Sequence, residues 1–421
     1  MDENSQNPVT PEGVTPPAED TGVKNQQPSE VPQPPASPTP ASFSKKAVVI
    51  LIAILVLLLG VLTAVLFIVS KYTDPTSISQ VNRNIKEASG ITVVPTLLDP
   101  IETDSTWCGT FQLVWNDMKN EVVQQDIVFT DGQLDEVDNL NKSTFTENMI
   151  SPDYYYKTYG LKTLELKSEI EQGIQDKFGE TSDVLNDIDW SDDALNQPGS
   201  DTSKYIFYSM LKRTFEYQYA FHKLDDGKFK DQSGVHYFGA AKNSSYEVRS
   251  QIDVLYYDSK DSFAIVVNAK DGDQVVYVKN PQGTNFQDIY NNAISKAKDY
   301  QGYRDFLPTD EFKAPNLSFN EKKTYDELTN HPFPLKEPGK FGKIVTAIQT
   351  VRLTMDENGG SVKSEAIVEM GITSSAQNSA PTEEPDPRYF NVDDTFAVFL
   401  REQGKDTPYF AARVNDITKL Q

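Results

Sequence analysis

The stretch TMDENGGSVKSEAIVEM, residues 354–370, decides how the chain is read. A tight turn, DENGG, is followed by an alternating run. Gly360, Val362, Ser364, Ala366, Val368 and Met370 fall on one face of an extended strand. Ser361, Lys363, Glu365, Ile367 and Glu369 fall on the other. The first face is small or apolar and the second mostly polar, the period-2 pattern of a strand half-buried in a sheet. The residues after it, GITSSAQNSAPTEEPDP (371–387), have the polar, Ser- and Pro-rich composition of a loop. The pattern of a core strand thus runs directly into a long loop.

Working outward, strand patterns dominate the second half of the chain: EVRSQIDVLYY, SFAIVVNA, QVVYV, KIVTAIQTVRLTM, YFNVDDTFAVFL and TPYFAARV. Helical spacing appears in three places. Trp107, Phe111, Val114, Trp115, Met118 and Val122 form a stripe that predicts a helix capped by Asp104 or Ser105. Leu166, Ile170, Ile174 and Phe178 recur every four residues, and Phe286, Ile289, Tyr290, Ala293, Ile294 and Ala297 mark a third helix. Strands close in sequence pair most simply as antiparallel neighbours. The fold class expected is therefore α+β, mainly antiparallel sheets with a helical N-terminal part.

Ahead of this domain the composition changes twice. Residues 1–44 hold ten of the 25 prolines and almost no large apolar residue, which makes 1–46 a disordered proline-rich tail. Residues 47–70 carry no charge and are long enough to span a bilayer. The leader before them is too long and their apolar core too extended for a cleaved signal peptide. Lys45 and Lys46 at the start, against Lys71 alone at the end, favour a cytoplasmic N-terminus. The expected organisation is a tail, a single transmembrane signal anchor at 47–70, a stalk over 71–104, and an extracellular domain over 105–421. A large external domain with a single cysteine, Cys108, suits a bacterial envelope.

The residues offer little chemistry. A net charge of −23 argues against nucleic acid, which needs a basic face. His222, His236 and His331 are too few and scattered for a zinc site, so neither metal nor cofactor is expected. No GxSxG elbow and no phosphate-binding glycine loop occurs. Cys108 sits among apolar residues and reads as structural rather than nucleophilic. The acidic run DVLNDIDWSDD, residues 183–193, lacks the Gly and terminal Glu of a calcium loop and reads as a solvated acidic loop. No catalytic residue is expected, and the chain is not read as an enzyme.

Around the opening stretch the sequence resembles the serpin family. AIQTVRLTMDENGGSVKSEAIVEM, 347–370, is similar to the family's central sheet strand, hinge turn and start of the reactive loop. PRYFNVDDTFAVFLREQGKDTPYFAARVND, 387–416, resembles its closing signature. YIFYSMLKRTFEYQYAF (205–221), SYEVRSQIDVLYYDSKDSFAIVVNAKD and APNLSFNEKKTYDEL resemble, in family order, further strands and turns.

The resemblance implies a loop that is exposed in the active state and becomes a new middle strand of the main sheet after cleavage. Such a loop carries strand patterning while it is still a loop. By this resemblance Glu357, Gly359 and Gly360 form the hinge. Val362, Ser364, Ala366, Val368 and Met370 turn inward, while Lys363, Glu365 and Glu369 face solvent. The scissile bond is expected near Thr373 and Ser374. The function implied is a membrane-anchored suicide-substrate inhibitor whose partner is a serine or cysteine protease. The alternative is a non-inhibitory binding module on the cell surface. The chain departs from the family pattern at Gln349, where the family has a His, at Ser209 for an Asn, and at Tyr217 for a Trp. Its hinge also carries Val362, Lys363 and Glu365 where alanines are usual.

Overall fold

The structure is a computed structural model, and it describes residues 90–101, 103–197, 202–365 and 386–421. The apolar run 47–70 lies outside them. Among the described residues no helix is long and apolar enough to cross a membrane.

Most of the described chain is built on three sheets. The largest has seven strands in the order Thr92–Val93, Ser105–Cys108, Phe410–Val414, Phe396–Glu402, Asp273–Lys279, Ser262–Asn268, Ile252–Ser259. A second has four: Tyr389–Asn391, Glu311–Pro315, Gln232–Ala240, His222–Phe229. The third carries the candidate site. Its five strands run Leu317–Thr324, Ile348–Asp356, Gly359–Glu365, Tyr205–Glu216, Tyr155–Leu161, and every neighbouring pair is antiparallel. The parallel pairs among the described residues are Thr92–Val93 with Ser105–Cys108 and Glu311–Pro315 with Tyr389–Asn391. The arrangement is α+β and mainly antiparallel.

The expected helix starting at 105 is instead a strand followed by a helix. Ser105–Cys108 is buried on both faces and pairs with Phe410–Val414, and Thr106 and Trp107 suit that role by β-branching and aromatic bulk. The helix begins at Thr110 and runs to Asp117, with Gly109 rather than Asp104 or Ser105 at its cap. A side chain at Gly109 would fall 2.2 Å from the Phe145 ring, so glycine there leaves room for that ring against the start of the helix. Residues Ile91, Val93, Val94 and Leu97, read from sequence as the end of a stalk, are packed into the core.

The helix Leu164–Phe178 forms where its four-residue spacing places it, burying Leu166, Ile170 and Ile174. Thr163 caps its start by accepting the Leu166 amide, and Gly179, at φ 65°, ends it. Gly173 lets it lie close on the edge strand, since a Cβ there would meet the Tyr156 ring at 2.4 Å. The chain leaving this helix passes over the outer face of the five-stranded sheet and meets the middle strand. The helix Phe286–Asp299 buries Phe286, Ile289, Tyr290 and Ala293, as its spacing predicts.

Candidate functional site: the hinge strand and its two faces

The expected hinge is a two-residue hairpin. Asp356 pairs with Gly359 across Glu357 and Asn358. The Asn358 amide donates to the Asp356 carboxylate at 2.8 Å, while Tyr217 N and Phe221 N donate to the carbonyls of Asn358 and Glu357, each at 2.9 Å. Glu357 pairs with Lys223 at 3.2 Å. Gly359 has φ 150°, and a Cβ there would lie 2.1 Å from the Phe215 carbonyl oxygen. At Gly360 it would lie 2.5 Å from the Thr354 carbonyl oxygen. Both glycines are therefore dictated by close backbone approach.

From this hairpin Gly359–Glu365 runs between Ile348–Asp356 and Tyr205–Glu216 and pairs along its full length with both. The resemblance implied that the strand would be a loop in the uncleaved chain, whereas here it already fills the middle of the sheet. Val362 and Ser364 do point inward, and both are fully buried. Val362 lies in register between Leu353 and Arg213, and Ser364 between Val351 and Leu211. Ala366, Val368, Met370, Thr373 and Ser374 lie outside the described residues.

The inward face contains a hydrogen-bond relay. The Tyr325 hydroxyl donates to Gln349 Oε1 at 2.8 Å. Gln349 Nε2 donates to the Cys108 carbonyl at 3.1 Å and to Thr110 Oγ1 at 3.2 Å. Thr110 Oγ1 and Ser364 Oγ are 2.8 Å apart, and Ser364 donates to the Thr350 carbonyl at 2.8 Å. Each proton has one place if Thr110 donates to Ser364. Gln349, the departure from the family His, thus occupies the centre of a satisfied network beneath the strand. Burial pushes the neighbouring Cys108 thiol up to about 11, which keeps it protonated and unreactive.

The outward face corrects the expectation. Lys363 and Glu365 are buried, and residues 180–183 cover them. Lys363 Nζ donates to the Thr181 carbonyl at 3.2 Å and pairs with Asp183 at 2.9 Å and Glu180 at 3.3 Å. Glu365 accepts from the Ser182 hydroxyl at 2.8 Å, the Asp183 amide at 2.8 Å and the Tyr208 hydroxyl at 3.0 Å. Burial raises the Glu365 carboxyl above its usual range, against these donors and Lys363. The acidic run is thus only partly solvated, for Val184 and Leu185 are in the core and Asp183 is ion-paired. Among the described residues no group of His, Cys, Asp and Glu could hold a metal ion.

Sequence reasoning missed the partners because they come from distant segments. Lys363 and Glu365 sit two apart on one strand face, and Glu180 and Asp183 sit three apart just after the helix Leu164–Phe178. That complementarity was the available signal, but nothing local joins the two segments. Arg388 was missed for the same reason. Its guanidinium pairs with buried Asp310 at 2.7 Å and donates to the carbonyls of Tyr303 and Asp305 at 2.6 Å. It anchors the chain just beyond the loop composition at 371–387.

No protein-family model matches the chain, and no curated protein matches it. Among solved structures it is similar to a cleaved serpin 42Da, at 13% identity and TM-score 0.39, covering 60% of this chain. The chain spans 64% of that protein's length. It is also similar to tengpin, a thermophilic serpin in the latent state, at 10% identity and TM-score 0.41, covering 75% of this chain and 93% of tengpin.

Proposed function

We propose that this chain is a membrane-anchored, non-enzymatic serpin-like protein whose loop between Glu365 and Arg388 is a bait for serine or cysteine proteases. Cleavage of the loop is answered by completion of the five-stranded sheet. One observation carries this reading. The hinge strand is already paired in mid-sheet, with Val362 between Leu353 and Arg213 and Ser364 between Val351 and Leu211, both fully buried. Continuing the observed register sets Ala366 opposite Ser209, Val368 opposite Phe207 and Met370 opposite Tyr205. Phe207 is half-buried and Tyr205 is exposed, so apolar partners from Val368 and Met370 would cover them.

In the chemistry proposed, the protease supplies the nucleophile. Its Ser or Cys attacks a loop carbonyl near Thr373 and Ser374, the peptide bond breaks, and an acyl-enzyme forms. Insertion of 366–370 then carries the acyl-enzyme away before water hydrolyses it. A second reading, a non-inhibitory binding module, is favoured by the ion-paired burial of Lys363 and Glu365 in the uncleaved chain. Incubation with a panel of serine and cysteine proteases, followed by denaturing electrophoresis, separates the two. Denaturant-resistant adducts are expected for the bait-and-trap reading. Clean cleavage by every protease, without adduct, would leave the binding module. The anchor at 47–70 with the domain outside is part of the same proposal. Its test is protease treatment of intact cells, which should remove the domain and spare the tail.

A further inference from the structure

Beyond the Ile348 end of the strand Ile348–Asp356, away from the hinge, lies a small layer of three chain segments. Pro332–Pro334 pairs antiparallel with Phe341–Lys343. Residues 125–130 run along the other side of Pro332–Pro334, where Gln125 Nε2 donates to the Pro334 carbonyl and the Thr130 amide to that of Pro332, both at 2.9 Å. The inner side is packed. Ile127, Phe129, Phe333 and Ile344 are buried, and the Phe129 and Phe333 rings stack at 6.1 Å. Alternation along each segment then turns Val128, Phe341, Lys343 and Val345 outward. Val128 is 49% exposed, Phe341 64% and Val345 69%, and of the large apolar side chains described only Tyr246 exceeds the last two.

Exposed apolar side chains gathered on one face mark a contact surface, and the charges among them say what it contacts. Lys336 and Lys340 in the hairpin loop and Lys343 beside Phe341 are exposed. Lys340 pairs with Glu337 at 2.9 Å, while Lys336 and Lys343 form no ion pair among the described residues. On the adjoining segment Asp126 faces Lys119 at 3.2 Å and Asp131 faces His331 at 3.0 Å. A chain of net charge −23 thus presents free cations here, interleaved with apolar groups. Protein–protein interfaces are depleted in lysine, so this composition speaks against a protein partner. It fits the headgroup region of an anionic bilayer, where apolar side chains sink below the phosphates and lysines reach up to them. The chain also brings a bilayer within range. Residues 71–89 between the apolar run 47–70 and Gly90 can span at most about 65 Å.

We propose that the face formed by Val128, Phe341, Lys343 and Val345, with Lys336 at its rim, docks on the headgroups of an anionic bilayer. The hinge hairpin, at the other end of the strand Ile348–Asp356, is then held off that surface. This rests on the reading above for the anchor at 47–70, and not on the bait loop.

The test uses the full chain in phosphatidylcholine vesicles, with or without about 30% phosphatidylglycerol as the anionic lipid. Pro338→Cys, in the exposed hairpin loop, takes a thiol-reactive fluorophore there alone, because Cys108 is fully buried. The same label at Tyr246→Cys, on the helix Tyr246–Ser250, is the reference. A lipid spin-labelled at its headgroup should quench position 338 roughly threefold more than position 246 when phosphatidylglycerol is present. That excess should vanish with Lys336→Glu and Lys343→Glu together, and fall with Phe341→Ser. On the unchanged surface about 0.5 M salt should reduce it as well, so the reading does not depend on those variants folding. Equal quenching at the two positions would overturn the proposal, as would an excess that survives the charge reversal or the salt. An alkaline wash of the vesicles reports the anchor separately. Retained chain without the excess at 338 overturns the docking face and leaves the anchor standing, whereas chain that washes out overturns the anchor and this proposal with it.

Discussion

Arg213 occupies the inner face opposite Val362, where a strand pattern would call for an apolar residue. Its guanidinium pairs with Asp273 at 2.6 Å and with Glu402, and stacks on the Tyr154 ring at 3.7 Å. Asp273 also accepts from the Tyr409 hydroxyl at 3.0 Å, and Glu402 from the Ser151 amide at 2.7 Å. The group ties the five-stranded sheet to the seven-stranded one. Arg213→Met would leave two buried carboxylates without their cation, and urea unfolding should show a loss of about 3–5 kcal/mol. Adding Asp273→Asn and Glu402→Gln to that chain should recover most of it. A loss under about 1 kcal/mol for Arg213→Met would mean that the charges are not buried together. A second residue sets a pH dependence. Burial, and then repulsion by Glu327 and Asp99, raise Glu136 from 4.5 to about 7, partly offset by Lys323. The folded chain therefore holds this proton more tightly than the unfolded one. The contribution is full below about pH 4.5 and is lost as pH rises through about 7. Glu136→Gln should flatten that part of the stability profile, and a profile identical to wild type would contradict the assignment.

At the scale of the element, the hinge hairpin shows what a sequence can and cannot disclose. DENGG reads as a turn, and the alternation after it reads as a strand, because both depend on neighbouring residues. The inward parity of Val362 and Ser364 was legible for the same reason. That the other face is roofed was not, because burial of Lys363 and Glu365 depends on a loop some 180 residues away. Likewise the Trp107–Val122 stripe was helical by spacing, yet pairing with Phe410–Val414 drew Ser105–Cys108 into a sheet. The hairpin makes its own prediction. Gly359→Ala would drive a Cβ to 2.1 Å from a carbonyl oxygen at positive φ, a clash against backbone that cannot yield. It should cost at least about 2 kcal/mol, whereas Ser361→Ala on the less enclosed side should stay within about 0.5 kcal/mol. Denaturant midpoints check both, and equal costs would mean the hairpin is not seated against Phe215.

For the whole molecule, the sequence order of strands was enough to suggest an α+β domain with antiparallel sheets. The α+β class emerges, but the hairpin His222–Phe229 with Gln232–Ala240 was not foreseen, since its polar, glycine-bearing first strand has no alternation to read. The central claim concerns the five-stranded sheet, which holds Gly359–Glu365 between two strands and is proposed to take 366–370 once the loop is cut. The most direct measurement is the thermal midpoint of the domain before and after a single cut within 371–386. Five added residues along Tyr205–Ser209, the first two also opposite Gln349 and Ile348, would form several ladder hydrogen bonds, each worth about 1 kcal/mol, so the midpoint should rise by on the order of ten degrees. A midpoint that is unchanged or lower after clean cleavage would contradict the account.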